Sequence, residues 1–346
     1  MSNIDLKIIN MEDIETEYVS WLMKPYIPFG KITIVQGDPG EGKTTMMLAI
    51  AADLTRGKAL PNANSTSPVN VIFQTAEDGL ADTIKPRLEE LGADCSLIHI
   101  IDESEKPLSF SDARIEQAIV KTNAKLLILD PAQAYFSGAS MNSADGVRPM
   151  MKTLTGVAER TECAIVIIGH LNKGKGKSQY RGLGSIDIYA AARSVLVVGR
   201  IGEYTRAVVQ DKSNLAPIGK SLSFELDPIL GFKWCGECNA TVDDVMRKNT
   251  AKTSQSDKAE RIILTALSDG TEIAANELFA EAVEKGVSSK TLKRAKSDLG
   301  VISTKRGDSW YWRLSIEAKF TETQQGQEGQ NTRMTSLPLL ETGEVA

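Results

Sequence analysis

The chain has 346 residues, 42% apolar and 25% charged, and its 45 Asp and Glu against 40 Lys and Arg give a net charge of −5. That balance excludes collagen, coiled coil and full-length disorder, and no apolar run reaches the roughly 18 residues that a membrane-spanning helix needs. The length suggests two domains. An acidic start without a basic stretch leading into an apolar one points to a cytoplasmic protein with no membrane partner. Cys95, Cys163, Cys235 and Cys238 are too few and too scattered for a disulfide framework. The mild acidity argues against coating of nucleic acid along the whole surface and leaves room for a local basic face.

Between residues 30 and 230, short β-branched runs alternate with longer helical stretches. This predicts an α/β fold in which helices cover a mainly parallel sheet. Strands are expected at 32–36, 69–75, 125–130, 164–169, 194–199 and 206–211. A first domain over 1–245 is expected to give way to a polar Ser/Thr/Lys-rich linker over 246–257. A small second domain is expected over 258–315 and a disordered Gln- and Gly-containing tail over 316–346.

Gly37-Asp-Pro-Gly40-Glu-Gly42-Lys43-Thr44 fits the phosphate-loop pattern G-x-x-x-x-G-K-[ST] and stands between an apolar strand and a helix, as that pattern requires. The glycines let backbone N–H groups curl round a phosphate, and the helix N-terminus adds its positive end. Lys43 is then placed to reach the β- and γ-phosphates of ATP. Thr44 is placed to hold Mg²⁺ through its hydroxyl, with Thr45 the next residue into the helix. A carboxylate at the end of a neighbouring strand is needed on the metal side, and Asp130 after Leu126-Leu-Ile-Leu supplies it. Glu77, just past another strand, is the candidate for orienting the attacking water, with Asp78 its rival. His170 ends a third strand and could bond the γ-phosphate or the attacking water, or be a satisfied buried histidine.

These residues occur within a longer ordered set: WLMKPYIPFGKITIVQGDPGEGKTT, FQTAEDG, LLILDP, IIGHLNK, YRGLGSIDIYAAARSVLVV and VVQDKSNLAP. Over about residues 15 to 235 the set resembles the RecA-like ATPases related to the hexameric plasmid replicative helicase RepA, a family common on phages and plasmids. The resemblance implies a RecA-like core that assembles into a homo-oligomeric, hexameric ring with ATP at its subunit interfaces, acting with a replication initiator or a primase. It also implies that Glu77 is the catalytic glutamate, Asp130 the Mg²⁺-side aspartate and His170 the sensor. Arg181 and Gly182 match a segment that faces the central channel or the neighbouring site, although Leu183 and Gly184 precede Ser185 and make the match inexact.

Arg206 and Lys212 lie six apart in an alternating run and are expected on one face, where they resemble fingers that reach a neighbouring subunit's γ-phosphate. A solvated strand face reads the same way. The Gly/Lys stretch from 171 to 181 could touch a phosphate backbone or be plain solvated loop. Cys235-Gly-Glu-Cys238 offers half of a zinc ligand set, and the sequence contains no second pair.

Residues 285–314 carry a charge of +6 inside a chain of −5. A helix expected over 288–299 opens with a Ser cap, turns Leu292, Ala295 and Leu299 inward and displays Lys290, Lys293, Arg294 and Lys296. With the hairpin that follows, carrying Lys305 and Arg306, the region resembles a winged helix-turn-helix DNA-binding domain. The leading expectation is an ATP-hydrolysing ring motor acting on DNA, a helicase in the replication of a phage, plasmid or mobile element. The alternative is an ATP-switched DNA-binding regulator or loader that hydrolyses slowly and unwinds nothing.

Overall fold

In the computed structural model of the chain, residues 8–63, 65, 67–136, 144–171, 186–246, 255–267, 270 and 272–314 are described. The chain divides into two compact units, Met1–Lys252 and Thr253–Ala346.

The first unit opens with β1 (Trp21–Met23) and β2 (Ile27–Pro28), a small antiparallel pair. There follow β3 (Ile32–Gly37), α1 (Lys43–Thr55), β4 (Val71–Thr75), α2 (Lys85–Glu90), β5 (Ile98–His99), α3 (Ala113–Thr122) and β6 (Leu126–Asp130). The unit continues with α4 (Ala144–Thr161), β7 (Ala164–His170), α5 (Ile186–Ala191), β8 (Ser194–Arg200), β9 (Thr205–Ser213), β10 (Ser221–Asp227), β11 (Gly231–Cys238) and α6 (Val242–Met246). One nine-stranded sheet runs in the order β11-β10-β9-β8-β3-β7-β6-β4-β5, the mainly parallel sheet of an α/β fold.

The central strands are buried on both faces, which is why they read as continuous Ile, Val and Leu runs. Their side chains still divide by alternation. Val35, Ile128 and Val166 pack under α1 and α2 with Met46, Ile50 and Leu88, whereas Ile34, Leu127 and Ile165 pack under α3, α4 and α5 with Ile119, Leu154 and Ile188. The α3 helix is bounded by chemistry that its sequence announces. Asp112 caps its start by accepting from the Arg114 N–H, and Asn123 ends it in the left-handed region.

All six expected strands are present, but the last of them, β9, runs antiparallel to β8. Only residues 201–204 connect the two, and a parallel return needs a crossover of a dozen or more residues. The hairpin then extends through β10 and β11, also antiparallel. Among the described residues, no helix is long and apolar enough to cross a membrane.

The second unit holds α7 (Gln255–Ala266), β12 (Ile273–Ala274), α8 (Ala275–Glu284), α9 (Ser289–Asp298), β13 (Ile302–Arg306) and β14 (Ser309–Arg313). Its sheet order is β12-β14-β13, and its core gathers Ile262, Ile263, Leu278, Leu292, Ala295 and Trp312. The α7 helix begins inside the segment expected as linker, because its first turn is polar and the apolar stripe only starts at Ala259. The rest of that linker, 247–254, and the tail over 316–346 lie outside the described residues, as do residues 172–185, which hold Gly182 and all of the basic stretch 171–181 except Leu171.

Candidate nucleotide site

The carboxyl ends of β3, β4, β6 and β7 bring Gly37, Thr75, Asp130 and His170 to one edge of the sheet. Parallel strands present their ligand crevice there. The loop from Gly37 to Gly42 enters α1 without a side-chain cap, because the cap position is Gly42, which has no side chain to supply one. Gly42 has φ +80°, and a Cβ there would stand 2.2 Å from Leu226 Cδ1. At Gly37 a Cβ would stand 2.2 Å from the carbonyl oxygen of Val198 on β8. The loop is thus clamped between β8 and the β10 side of the hairpin extension.

Lys43 is almost fully buried, and its ammonium donates to the carbonyls of Gly37 at 3.0 Å and Asp38 at 2.9 Å. Its Nζ also lies 3.3 Å from Nδ1 of His170. Burial lowers the Lys43 pKa, while Asp130, Glu41, Asp38 and Glu77 oppose that shift. His170 is lowered too, chiefly by burial and then by Lys43. Because an ammonium can only donate, Nδ1 of His170 faces it as the acceptor. Thr44 donates its hydroxyl to Oδ2 of Asp130 at 2.5 Å. Burial pushes Asp130 up to about 6 against the pull of Thr44 and Lys43.

The two candidate carboxylates after β4 differ in their partners. Asp78 accepts from Arg87 Nη1 at 3.2 Å. Glu77 is exposed, with no side-chain partner among the described residues, and its charge acts on Lys43, Asp130 and His170.

The structure separates Arg206 from Lys212. A bulge places Val195 opposite Lys212 and Leu196 opposite Gln210, so Asp211 is an extra residue in β9 and the alternation reverses across it. Arg206 lies on the side of Val208 and Leu196, whereas Lys212 pairs with Val195 of the opposite core. The expectation of a shared face fails for that reason. Lys212 donates to the carbonyls of Tyr189 at 2.7 Å, Ala190 at 3.4 Å and Ala192 at 2.8 Å, which makes it the cation at the end of α5. Arg206 is buried opposite Arg200 in the β8–β9 pair, and its Nε lacks a partner. Glu41 of the phosphate loop lies 3.9 Å from Arg200 and acts electrostatically on Arg206.

Sequence reasoning passed over Glu41 and Arg200, since one occupies a variable loop position and the other follows a strand end. It also missed a cavity of about 570 Å³ beside Thr45, bounded by Arg56, Arg87, Leu226, Pro228 and Trp234. Only the folding of β10 and β11 against α1 and α2 creates it. Among the described residues, no cluster of metal-binding side chains forms around Cys235 and Cys238.

The AAA-domain family matches residues 4–176, half of the chain. The chain belongs to this AAA-domain family. Two DNA repair RadA proteins, from Halalkalibacterium halodurans and Bacillus subtilis, are 29% and 27% identical to it over 148 residues, which is 42% of this chain and 28% of each relative. The RadA of Chlamydia pneumoniae is 27% identical over 179 residues, 50% of this chain and 35% of that protein. The chain thus spans about a third of the length of the curated relatives it matches. Among solved structures, the KaiC-like protein PH0186 of Pyrococcus horikoshii aligns with a TM-score of 0.45 and 18% identity, covering 60% of this chain and 91% of that one.

Proposed function

We propose that this AAA-domain protein is an ATP-hydrolysing, ring-forming motor that acts on DNA, a helicase in the replication of a phage, plasmid or mobile element. The observation that carries the reading is the convergence of Lys43, Thr44, Asp130, His170 and the unpaired Glu77 at one sheet edge. Their chemistry fits ATP with Mg²⁺. Lys43 meets phosphate oxygens by exchanging the loop carbonyls that hold it now, and Thr44 and Asp130 supply hard oxygen ligands for the cation. Bound Mg²⁺ neutralises phosphate charge. Glu77 orients the water and His170 reads the outcome at the end of β7. The cavity beside Thr45 gives the nucleoside room next to the phosphate loop.

DNA is assigned to the second unit. Its order of helix, strand, two helices and hairpin, with three strands arranged β12-β14-β13, supports a winged-helix reading. Ser288 caps α9 by accepting from the Thr291 N–H, and the helix shows Lys290, Lys293 and Arg294 to solvent. Lys290, Lys293, Arg294 and Lys296 contact phosphates from α9, and Lys305 and Arg306 do so from the hairpin. The RadA relatives, named for DNA repair, favour the same class of partner.

The test is the steady-state ATPase rate with and without single-stranded DNA, for wild type and Lys43→Ala, with oligomer mass read in the same samples. A DNA-stimulated rate that vanishes in Lys43→Ala and accompanies a ring supports the motor. The engagement of Lys212 with the end of α5 favours one alternative, in which assembly and nucleotide must first release this cation and the protein is an ATP-switched DNA binder. A slow rate indifferent to DNA, with nucleotide-dependent assembly, selects that alternative.

A further inference from the structure

The β13–β14 hairpin carries a feature that phosphate contact does not use. Trp310 is 51% exposed, although the same unit buries Trp312 to 4%. Both rings stand on one face of β14, being two residues apart in a strand whose register with β13 is regular. That face looks toward the helices, because Trp312 packs edge-on against Phe279 of α8 with centroids 5.5 Å apart. Lys305 pairs directly with Trp310 across the hairpin. Lys296 of α9 lies 5.0 Å above the Trp312 ring, and Lys293 lies 5.8 Å from the Phe279 ring.

A half-bare indole therefore stands opposite Lys305, on the strand face whose next ring, Trp312, lies under Lys296. Three acids of this region are engaged by other cations, Glu281 among them through Lys285. Glu272 pairs with Arg306 and Arg313, and Asp298 pairs with Arg294. Lys293, Lys296 and Lys305 have no carboxylate partner among the described residues. Duplex DNA offers phosphates to such lysines but keeps its base faces stacked and out of reach. An unpaired strand offers both, and an aromatic ring beside a cationic track is the common device for holding it.

We infer that Trp310 is a base-stacking residue and that the face it forms with Lys293, Lys296 and Lys305 binds an unpaired DNA strand in preference to duplex. This rests on the DNA-binding reading of the second unit and specifies its substrate as single-stranded or frayed DNA. Stacking on one ring is a per-base contribution whose loss lowers affinity on the order of 10-fold. No charge is removed with the indole, so the salt dependence of binding stays as it was.

The experiment uses the full chain without nucleotide and a labelled 20-nucleotide thymidine oligomer beside a duplex of equal length. Trp310→Ala is expected to weaken binding of the single strand about 10-fold and of the duplex less than twofold, with an unchanged slope of log affinity against log salt. Trp310→Phe keeps most of the single-strand affinity. The indole emission that Trp310→Phe removes is quenched by the single strand and not by the duplex. Lys305→Gln, in contrast, weakens both and lowers the salt slope by about one contact. If wild type binds DNA but Trp310→Ala binds the single strand as before, or loses both substrates equally, or the Trp310 emission ignores the single strand, the stacking assignment is overturned while DNA binding stands. If wild type binds neither substrate at low salt, both fail.

Discussion

The hydroxyl of Thr44 at the start of α1 donates to the carboxylate of Asp130 at the end of β6, 86 residues away in sequence, at 2.5 Å. This one bond joins the phosphate loop to the strand that carries the proposed metal-side acid, and it satisfies a carboxylate that is 7% exposed. Thr44→Val keeps the shape and deletes the donor, leaving Asp130 buried without it. A loss of about 1–3 kcal/mol in unfolding free energy is expected by urea titration. Asp130→Asn keeps the volume, and hydrolysis is expected to fall on the order of 100-fold, as for loss of one electrostatic contact to a charged transition state. Chelation of Mg²⁺ by EDTA is expected to stop wild-type turnover altogether.

The two loop glycines do different work, and alanine separates them. At Gly37 the obstruction is a backbone carbonyl, that of Val198. Gly37→Ala must push β8 away from β3, and no second substitution relieves it. At Gly42 the obstruction is the Leu226 side chain together with φ +80°. Leu226→Ala should therefore recover part of the stability and nucleotide-induced melting shift lost in Gly42→Ala, with the positive φ keeping a residual cost of about 1 kcal/mol. Equal rescue of both glycines would refute this account of the clamp.

Glu77 and Asp78 are neighbours with opposite prospects. Asp78 is held by Arg87 in a pair that is about 40% exposed on each side, which makes its contribution to stability and turnover small. Asp78→Asn is expected to change hydrolysis less than threefold. Glu77→Gln removes a free carboxylate beside Lys43 and Asp130 and is expected to lower hydrolysis about 10²–10⁴-fold, while ATP still protects against melting.

Lys212 shows where reading a sequence stops. The phosphate loop, the acid-ended strands and the Ser288 cap are local patterns, and each stands where its spacing put it. The side on which Lys212 points depended on counting through a strand, and one inserted residue, Asp211, reverses the count. A bulge leaves no composition signal there. The antiparallel turn of β9 and the closeness of Glu41 to Arg200 are likewise products of the fold, which brings a variable loop position against a distant strand. Lys212→Met retains most of the stem but frees three carbonyls at the end of α5. A destabilisation of about 1–2 kcal/mol is expected in the isolated subunit, before any effect on assembly.

Asp112 provides a test of stability against pH away from the nucleotide site. Its carboxylate caps α3, accepting from the Arg114 N–H at 2.9 Å, and the Arg114 guanidinium closes on it at 3.1 Å and 2.9 Å. The Arg114 hydrogen bonds, reinforced by the cap, hold its pKa below the usual 3.8. An acid whose folded pKa is depressed binds fewer protons folded than unfolded. Its stabilisation is therefore complete above the unfolded value and is lost as pH falls through the folded one. Asp112→Ala is expected to cost about 1 kcal/mol at pH 7, as loss of an N-cap does, with the ion pair adding to it. The gap between mutant and wild type should hold from pH 7 down to about pH 5 and narrow below the usual carboxylate range. Denaturant midpoints of the two proteins at pH 7, 5 and 3 give the comparison, and a gap that persisted undiminished at pH 3 would assign the cost to packing and not to the charged cap.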